Sequence, residues 1–218
     1  MSTNEMFAAG GIVMWPLLLF SVLVLVLSIE RGVFWIRIRR RQRPLIRRVL
    51  ALYEERPGEA ITLLKKSLSF PIARIFLEAL EVRDASPNQF RLALEGATHG
   101  EIPMLKRFSS VFQTVIAIAP LLGLLGTILG LIRSFAAVRI GEMGADASQV
   151  TGGISEALVS TAAGMVVAIF ALAAFNIFRS CYRRQLSLLQ EYSSHLEILH
   201  ERHSSNDSYS EGAAYASV

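Results

Sequence analysis

One carboxylate in this chain stands where a carboxylate is expensive. Glu156 heads the stretch from Ala157 to Phe178, 22 residues without Asp, Glu, Lys, Arg or His. A helix of roughly 20 apolar residues crosses a bilayer. An ionisable group at membrane depth costs at least about 2.5–3.5 kcal/mol on insertion scales, which makes it a functional candidate by default. Two placements are open for Glu156: in the headgroup region, where charge is cheap, or about two turns inside a helix capped by Asp146 or Ser148. Ser160 shares its helix face at i,i+4, and Thr161 lies beside that face. Ser160, Gly164 and Ala168 then supply small side chains at four-residue spacing, the pattern of close helix packing in lipid. An acid followed by hydroxyls suits proton transfer. A proton path needs a titratable or hydrogen-bonding group at intervals, so one acid cannot span a bilayer alone, and a partner acid or a file of water must supply the rest.

A second uncharged run, Phe108 to Ile132, is 25 residues long. Within it Gly123, Gly126 and Gly130 fall on one helix face, and Gly126 and Gly130 form a GxxxG pair that lets two backbones approach closely. Pro120 and Thr127 stand among them. The Thr127 hydroxyl is expected to bond to the carbonyl one turn back.

No other constellation competes. A nucleophile with base and oxyanion donors is missing, as are a phosphate loop and a metal-ligand cluster, so the chain does not read as an enzyme and no cofactor or metal is expected. The single cysteine, Cys181, excludes an internal disulfide. His99 has no partner at ligand spacing, and His195, His200 and His203 read as a solvated helix end. The 218 residues are 52% hydrophobic and only 18% charged, with a mean hydropathy of +0.44, which is too apolar for an ordinary soluble domain. The formal charge of +4 fits basic membrane flanks, and nothing suggests nucleic-acid binding.

The elements that must position these groups can be read in order. Met6 to Ile29 is an uncharged run of 24 residues, too long for a signal peptide and not preceded by Lys or Arg. Pro16 is expected in its first turn or at a kink. Eight arginines follow, from Arg31 to Arg48, so the positive-inside rule puts the N-terminus outside and this cluster in the cytoplasm. Residues 44–107 read as short amphipathic helices, with Pro57 and Pro71 in first turns and a capping box at Ser86-Pro87-Asn88-Gln89. Pro103 is expected at a kink or a boundary. Arg133 to Asp146 make a short turn back, and the third helix continues past Arg179 on Leu186, Leu189, Tyr192, Leu196 and Leu199.

The fold class is therefore all-α: a membrane protein with three transmembrane helices, long helices extending into the cytoplasm and a small helical cytoplasmic domain. The expected divisions are 1–30 for the periplasmic N-terminus and first span, 31–107 for the cytoplasmic domain, 108–178 for the second and third spans, 179–203 for a helix extension and 204–218 for a disordered tail.

The run APLLGLLGTILGLIRSF, Ala119 to Phe135, followed by GGISEALVSTAAGMVVAIFALAAFN, Gly152 to Asn176, resembles the signature of the ExbB/TolQ branch of the MotA/TolQ/ExbB proton channel family. The three-span plan with a large cytoplasmic loop matches that branch, whereas the flagellar stator proteins have four spans. The resemblance implies that Thr127, Glu156 and Thr161 match the polar positions lining the family's channel. It implies a homopentamer in a bacterial inner membrane around the single spans of ExbD- or TolR-like subunits, whose membrane-embedded aspartate carries the proton. It further implies force transfer to TonB- or TolA-like proteins. Arg133 is larger and charged at the outer end of the second helix, and alters the pore mouth without disturbing the family assignment. Two other readings stand beside this one: a sodium-driven stator with hydroxyls as ion ligands, and a non-conducting scaffold in which Glu156 pairs with a partner's basic group.

Overall fold

The computed structural model describes residues 11–82, 85–140 and 147–215, with backbone alone for 137–140, 147–150 and 203–215. Among the described residues six helices follow one another: α1 (Met14–Glu55), α2 (Pro57–Lys65), α3 (Pro71–Leu80), α4 (Pro87–Leu105), α5 (Ser109–Ile140) and α6 (Ala147–Tyr215). No strand occurs among the described residues. Three of these helices, α1, α5 and α6, are long and apolar enough to cross a membrane. The chain is an all-α, multi-pass membrane protein.

Two compact units emerge, one of the chain up to Gly32 with Phe108–Arg179, the other of Val33–Arg107 with the chain from Ser180. In the first unit the core mixes aliphatic side chains, alanines and one phenylalanine. Val13, Met14, Leu17 and Val24 of the α1 region meet Phe112, Val115 and Ala119 of α5 and Ala168 and Ala171 of α6. Around it the exposed faces are apolar: Trp15, Leu19 and Leu25 on α1, Leu121, Leu124 and Ile128 on α5, Met165, Ile169 and Phe170 on α6. Helices apolar on both faces are membrane spans, because lipid solvates the outer face. Pro16 sits in the first turn of α1, where its missing N–H is no loss.

The join between α4 and α5 carries the chain's one left-handed non-glycine residue among those described, Phe108 at φ 66°. A β-carbon is unfavourable there by about 1–2 kcal/mol. Its ring faces the Arg31 guanidinium at 5.2 Å, and Arg31, 3% exposed, also pairs with Glu30 at 3.2 Å. A cation buried at the end of a span is thus held by an acid and an aromatic face.

The second unit is built on proline-led helices. Pro57, Pro71 and Pro87 each open one, supplying a preset φ where no N–H is needed. Ser86 closes a capping box, its hydroxyl accepting from the Gln89 amide at 3.4 Å while the Gln89 side chain accepts from the Ser86 amide at 2.9 Å. Ile72, Ile75, Phe76, Phe90, Leu94, Leu189 and Leu196 are buried. Arg74 of α3 grips Glu101 of α4 with two hydrogen bonds of 2.6 and 2.5 Å. That hydrogen bonding outweighs burial and raises the arginine further above its ordinary value.

Pro103 lies two residues before the end of α4. Two expectations change. The short helices expected over 44–107 begin later, because α1 runs through Pro44 to Glu55, and the exposed position leaves the bereft carbonyl to water. His200 is not a solvated helix end. Its ring stacks on Phe90 at a centroid distance of 3.9 Å, its Nδ1 shares a hydrogen bond with the Tyr53 hydroxyl at 2.9 Å, and its Nε2 lies 3.4 Å from the Ala85 carbonyl. Burial raises the Tyr53 phenol above its ordinary value, which keeps it protonated. The tail expected over 204–218 lies outside the residues whose side chains are described, although the α6 backbone runs into it as far as Tyr215. Residues 1–10 and 141–146, with Asp146 among them, lie outside the described residues, as does the Ser148 side chain.

Candidate functional site

The site is a seam between α5 and α6, and its closeness comes from glycine. A β-carbon on Gly164 would stand 2.6 Å from the Ala119 carbonyl oxygen and 3.0 Å from the Gly123 Cα. One on Gly130 would stand 2.7 Å from the Gly153 carbonyl oxygen, and one on Gly126 would stand 2.6 Å from the Ser160 Cβ. One on Gly123 would stand 3.0–3.2 Å from the backbone of Ser160 and Thr161. Gly123, Gly126 and Gly130 therefore all face α6 of the same chain. Ala168, 8% exposed, continues the contact into the core. Backbones this close let short side chains reach carbonyls across the gap.

Three hydroxyls do so. Thr161 Oγ1 donates to the Gly123 carbonyl at 3.1 Å, and Ser160 Oγ reaches the Ala157 carbonyl at 2.8 Å and the Gly123 carbonyl at 3.3 Å. Thr127 Oγ1 lies 3.2 Å from the Ala157 carbonyl and 3.4 Å from the carbonyl of Gly123 one turn back. It also makes a short hydrogen bond with Thr161 Oγ1. Thr127 thus keeps its expected local acceptor within reach and gains two further partners across the seam, among which its single hydrogen is shared. Ser160 is fully buried.

Glu156 stands nine residues into α6, about two and a half turns from its start at Ala147. Its carboxylate is paired with the Arg133 guanidinium of α5 at 2.5 Å, with side-chain exposures of 19% and 54%. No hydrogen bond joins it to Thr127, Ser160 or Thr161 among the described residues. The start of the α1 region lies against it: a β-carbon on Gly11 would fall 2.8 Å from the Glu156 Cδ, and Gly11 adopts φ +67°, so this position suits glycine twice over.

The four polar positions Thr127, Glu156, Ser160 and Thr161 therefore all border one seam, the three hydroxyls linked to it by hydrogen bonds and the acid linked to Arg133. Sequence reasoning noticed Arg133 but not its partner, since no spacing rule joins residues 133 and 156. It also missed Gly153 and Ser134. A β-carbon on Gly153 would stand 2.9 Å from the Gly130 carbonyl, and Ser134 is buried with its hydroxyl on that same carbonyl at 3.1 Å. The signal was available: Gly126, Gly130 and Ser134 continue one four-residue row of small side chains.

Chemically, this arrangement offers one carboxylate, one guanidinium, three hydroxyls and two backbone carbonyls. It can hold or pass a proton. It lacks an activated nucleophile, and no group of three His, Cys, Asp or Glu that could hold a metal occurs among the described residues.

Comparison with known proteins gives the family. The model of the MotA/TolQ/ExbB proton channel family matches residues 67–191, which include the whole seam. A putative ExbB-like biopolymer transport protein of Synechocystis is 55% identical over 195 residues, covering 89% of this chain and 93% of that one. A second ExbB-like protein of the same organism is 42% identical over 89% of this chain and 77% of its own length. The Tol-Pal system protein TolQ of Haemophilus influenzae is 37% identical over 84 residues, 38% of this chain and 36% of that one.

Proposed function

We infer that this chain, which belongs to the MotA/TolQ/ExbB proton channel family, is the multi-pass subunit of a proton-driven motor in a bacterial inner membrane. With an ExbD- or TolR-like single-span partner it couples the proton motive force to TonB- or TolA-type transport or envelope work. The observation that carries this reading is Glu156, an acid inside a spanning helix beside a hydroxyl-lined seam, with its charge met by one arginine. The working assembly is a homo-oligomer, a pentamer by family resemblance. The N-terminus faces the periplasm and the C-terminus the cytoplasm, as the arginines that follow the first span argue.

The geometry supports a division of labour. Glu156 is the ionisable group of the path, and Thr127, Ser160 and Thr161 are its hydroxyl wall. Arg133 occupies the carboxylate in the resting pair, so Glu156 takes part in transfer only when that contact opens. The partner subunit's acid or a file of water completes the path.

The test is the complex reconstituted in liposomes, read first with a pH dye and then with a sodium dye. Glu156→Gln keeps size and most hydrogen bonds but removes ionisation. Lost proton flux with an intact oligomer is the expected result. Sodium flux in the native complex would replace the proton by sodium, and absence of any flux with impaired partner binding in the variant would make the chain a scaffold. Normal flux and normal binding in the variant would remove Glu156 from the path.

A further inference from the structure

A cavity in the second unit has a chemistry the proton path does not use. It encloses about 220 Å³ between α1 and α6. One wall is apolar, with Trp35, Ile36, Ile38 and Leu188, and the rim carries three guanidinium groups, Arg39, Arg43 and Arg184. No Asp or Glu lines it. None of those three arginines forms an ion pair with the described residues, whereas the acids nearby in sequence, Glu54 and Glu55, lie further down α1.

The floor adds a second observation. Gln42 and Gln185 line the cavity, 2% and 5% exposed, and the Gln185 amide nitrogen donates to Gln42 Oε1 at 2.9 Å. The Gln42 amide nitrogen makes no hydrogen bond to the described residues. A nearly buried donor at a cavity wall calls for an acceptor inside the cavity. Three guanidinium groups and a free amide donor together select an anion with several oxygen atoms.

Position along the helices selects the kind of anion. On α1 the apolar face ends with Val33 and Ile36, which are 52% and 56% exposed, and the cavity begins at Trp35. On α6 the cavity begins at Ser180, just after the uncharged run ends at Phe178. Both walls thus begin in the first turns beyond the hydrocarbon and run about three turns further, to Ile46 and Tyr192. Phospholipid phosphates lie at that level, and basic pockets between helices there hold anionic headgroups. The apolar wall then accepts the upper part of the acyl chains.

We propose that this cavity is a binding site for one anionic phospholipid, its phosphate held by Arg39, Arg43, Arg184 and the Gln42 amide. The proposal rests on the chain spanning a membrane and is independent of proton conduction.

Native mass spectrometry of the full chain, released from detergent with added lipid, tests it. The probes are phosphatidylglycerol, phosphatidylcholine and inorganic phosphate at equal concentration. Wild type should retain phosphatidylglycerol in preference to phosphatidylcholine, and phosphate should not displace it. The triple variant R39Q/R43Q/R184Q should lose that binding by about ten- to a hundredfold. The triple variant R37Q/R40Q/R41Q removes the same charge from exposed α1 positions outside the cavity and should bind as wild type does. Gln42→Leu, which keeps all charges, should weaken binding by several-fold. Equal losses in the two arginine triples would reduce the effect to diffuse attraction and overturn the site. Equal retention of phosphatidylcholine, or displacement by free phosphate, would also overturn it. So would binding by the monomer that vanishes in the oligomer, because a second copy would then fill the cavity.

Discussion

The seam between α5 and α6 gives a sharp expectation for the change Gly164→Ala. The added carbon would stand 2.6 Å from the Ala119 carbonyl oxygen, where ordinary contact begins near 3.4 Å. The obstacle is backbone, so no rotamer change relieves it, and the helices must part by about 0.8 Å or bend. Overpacking of this kind costs about 1–3 kcal/mol. Parting also stretches the Thr161 and Thr127 bonds to the facing carbonyls, now 3.1 and 3.2 Å, beyond useful range. Two such bonds in a membrane are worth about 0.6 kcal/mol each. Alanine returns about 1 kcal/mol of helix propensity. The two smaller contributions cancel, leaving a net loss of about 1–3 kcal/mol. Gly152→Ala is the internal control, because a β-carbon there has nothing within 4 Å and should be neutral or stabilising by up to about 1 kcal/mol. Unfolding in mixed micelles by titration with a denaturing detergent, followed by helical circular dichroism, measures both. Equal stability of the two variants would refute the claim that glycine is required by the seam rather than tolerated in it.

Further expectations concern the second unit. Ser86→Ala removes the capping box and should cost about 1 kcal/mol, seen as faster hydrogen exchange at the Gln89 amide, while Ser86→Asp should preserve protection. Arg74→Ala leaves Glu101 partly buried without its fork and should cost about 1.5–3 kcal/mol in thermal unfolding, with Arg74→Lys intermediate; a silent Arg74→Ala would show the pair to be ornamental. His200→Phe keeps the stack on Phe90 but loses the Tyr53 bond, and should cost about 1 kcal/mol, less than His200→Ala. Identical losses for the two substitutions would place all of that contribution in the Tyr53 hydrogen bond and none in the stacking.

What the sequence disclosed and what it withheld divide by range. The three spans were legible because an uncharged run of the right length has few other uses, and the starts at Pro57, Pro71 and Ser86 were legible because capping is local chemistry. Pro44 misled, since proline usually ends a helix, and only an exposed backbone tolerates it within one. The glycine face was visible as a periodicity, but not what it faced: the contacts of Gly123, Gly126 and Gly130 are to α6, 23–38 residues away in the chain. The same limit hid the Arg133 partner of Glu156 and the Tyr53 and Phe90 partners of His200. Pairings over long sequence separation are decided by packing, and one sequence carries no local trace of them.

The hydroxyls of the seam have a consequence for how charge and force could be linked. Thr127, Ser160 and Thr161 own one hydrogen each, and each hydroxyl lies within reach of a carbonyl across the seam, Ser160 sharing its hydrogen with the Ala157 carbonyl of its own helix. A hydroxyl relays a proton by accepting one on a lone pair and surrendering its own, after which its O–H points a new way. Here the hydrogen surrendered is the one that forms the stitch. Each passage through these groups would therefore unfasten a helix–helix bond and require it to be remade, so that relay and slackening become one event. A wall of free hydroxyls would conduct without moving anything; this one cannot pass a proton and keep every stitch closed.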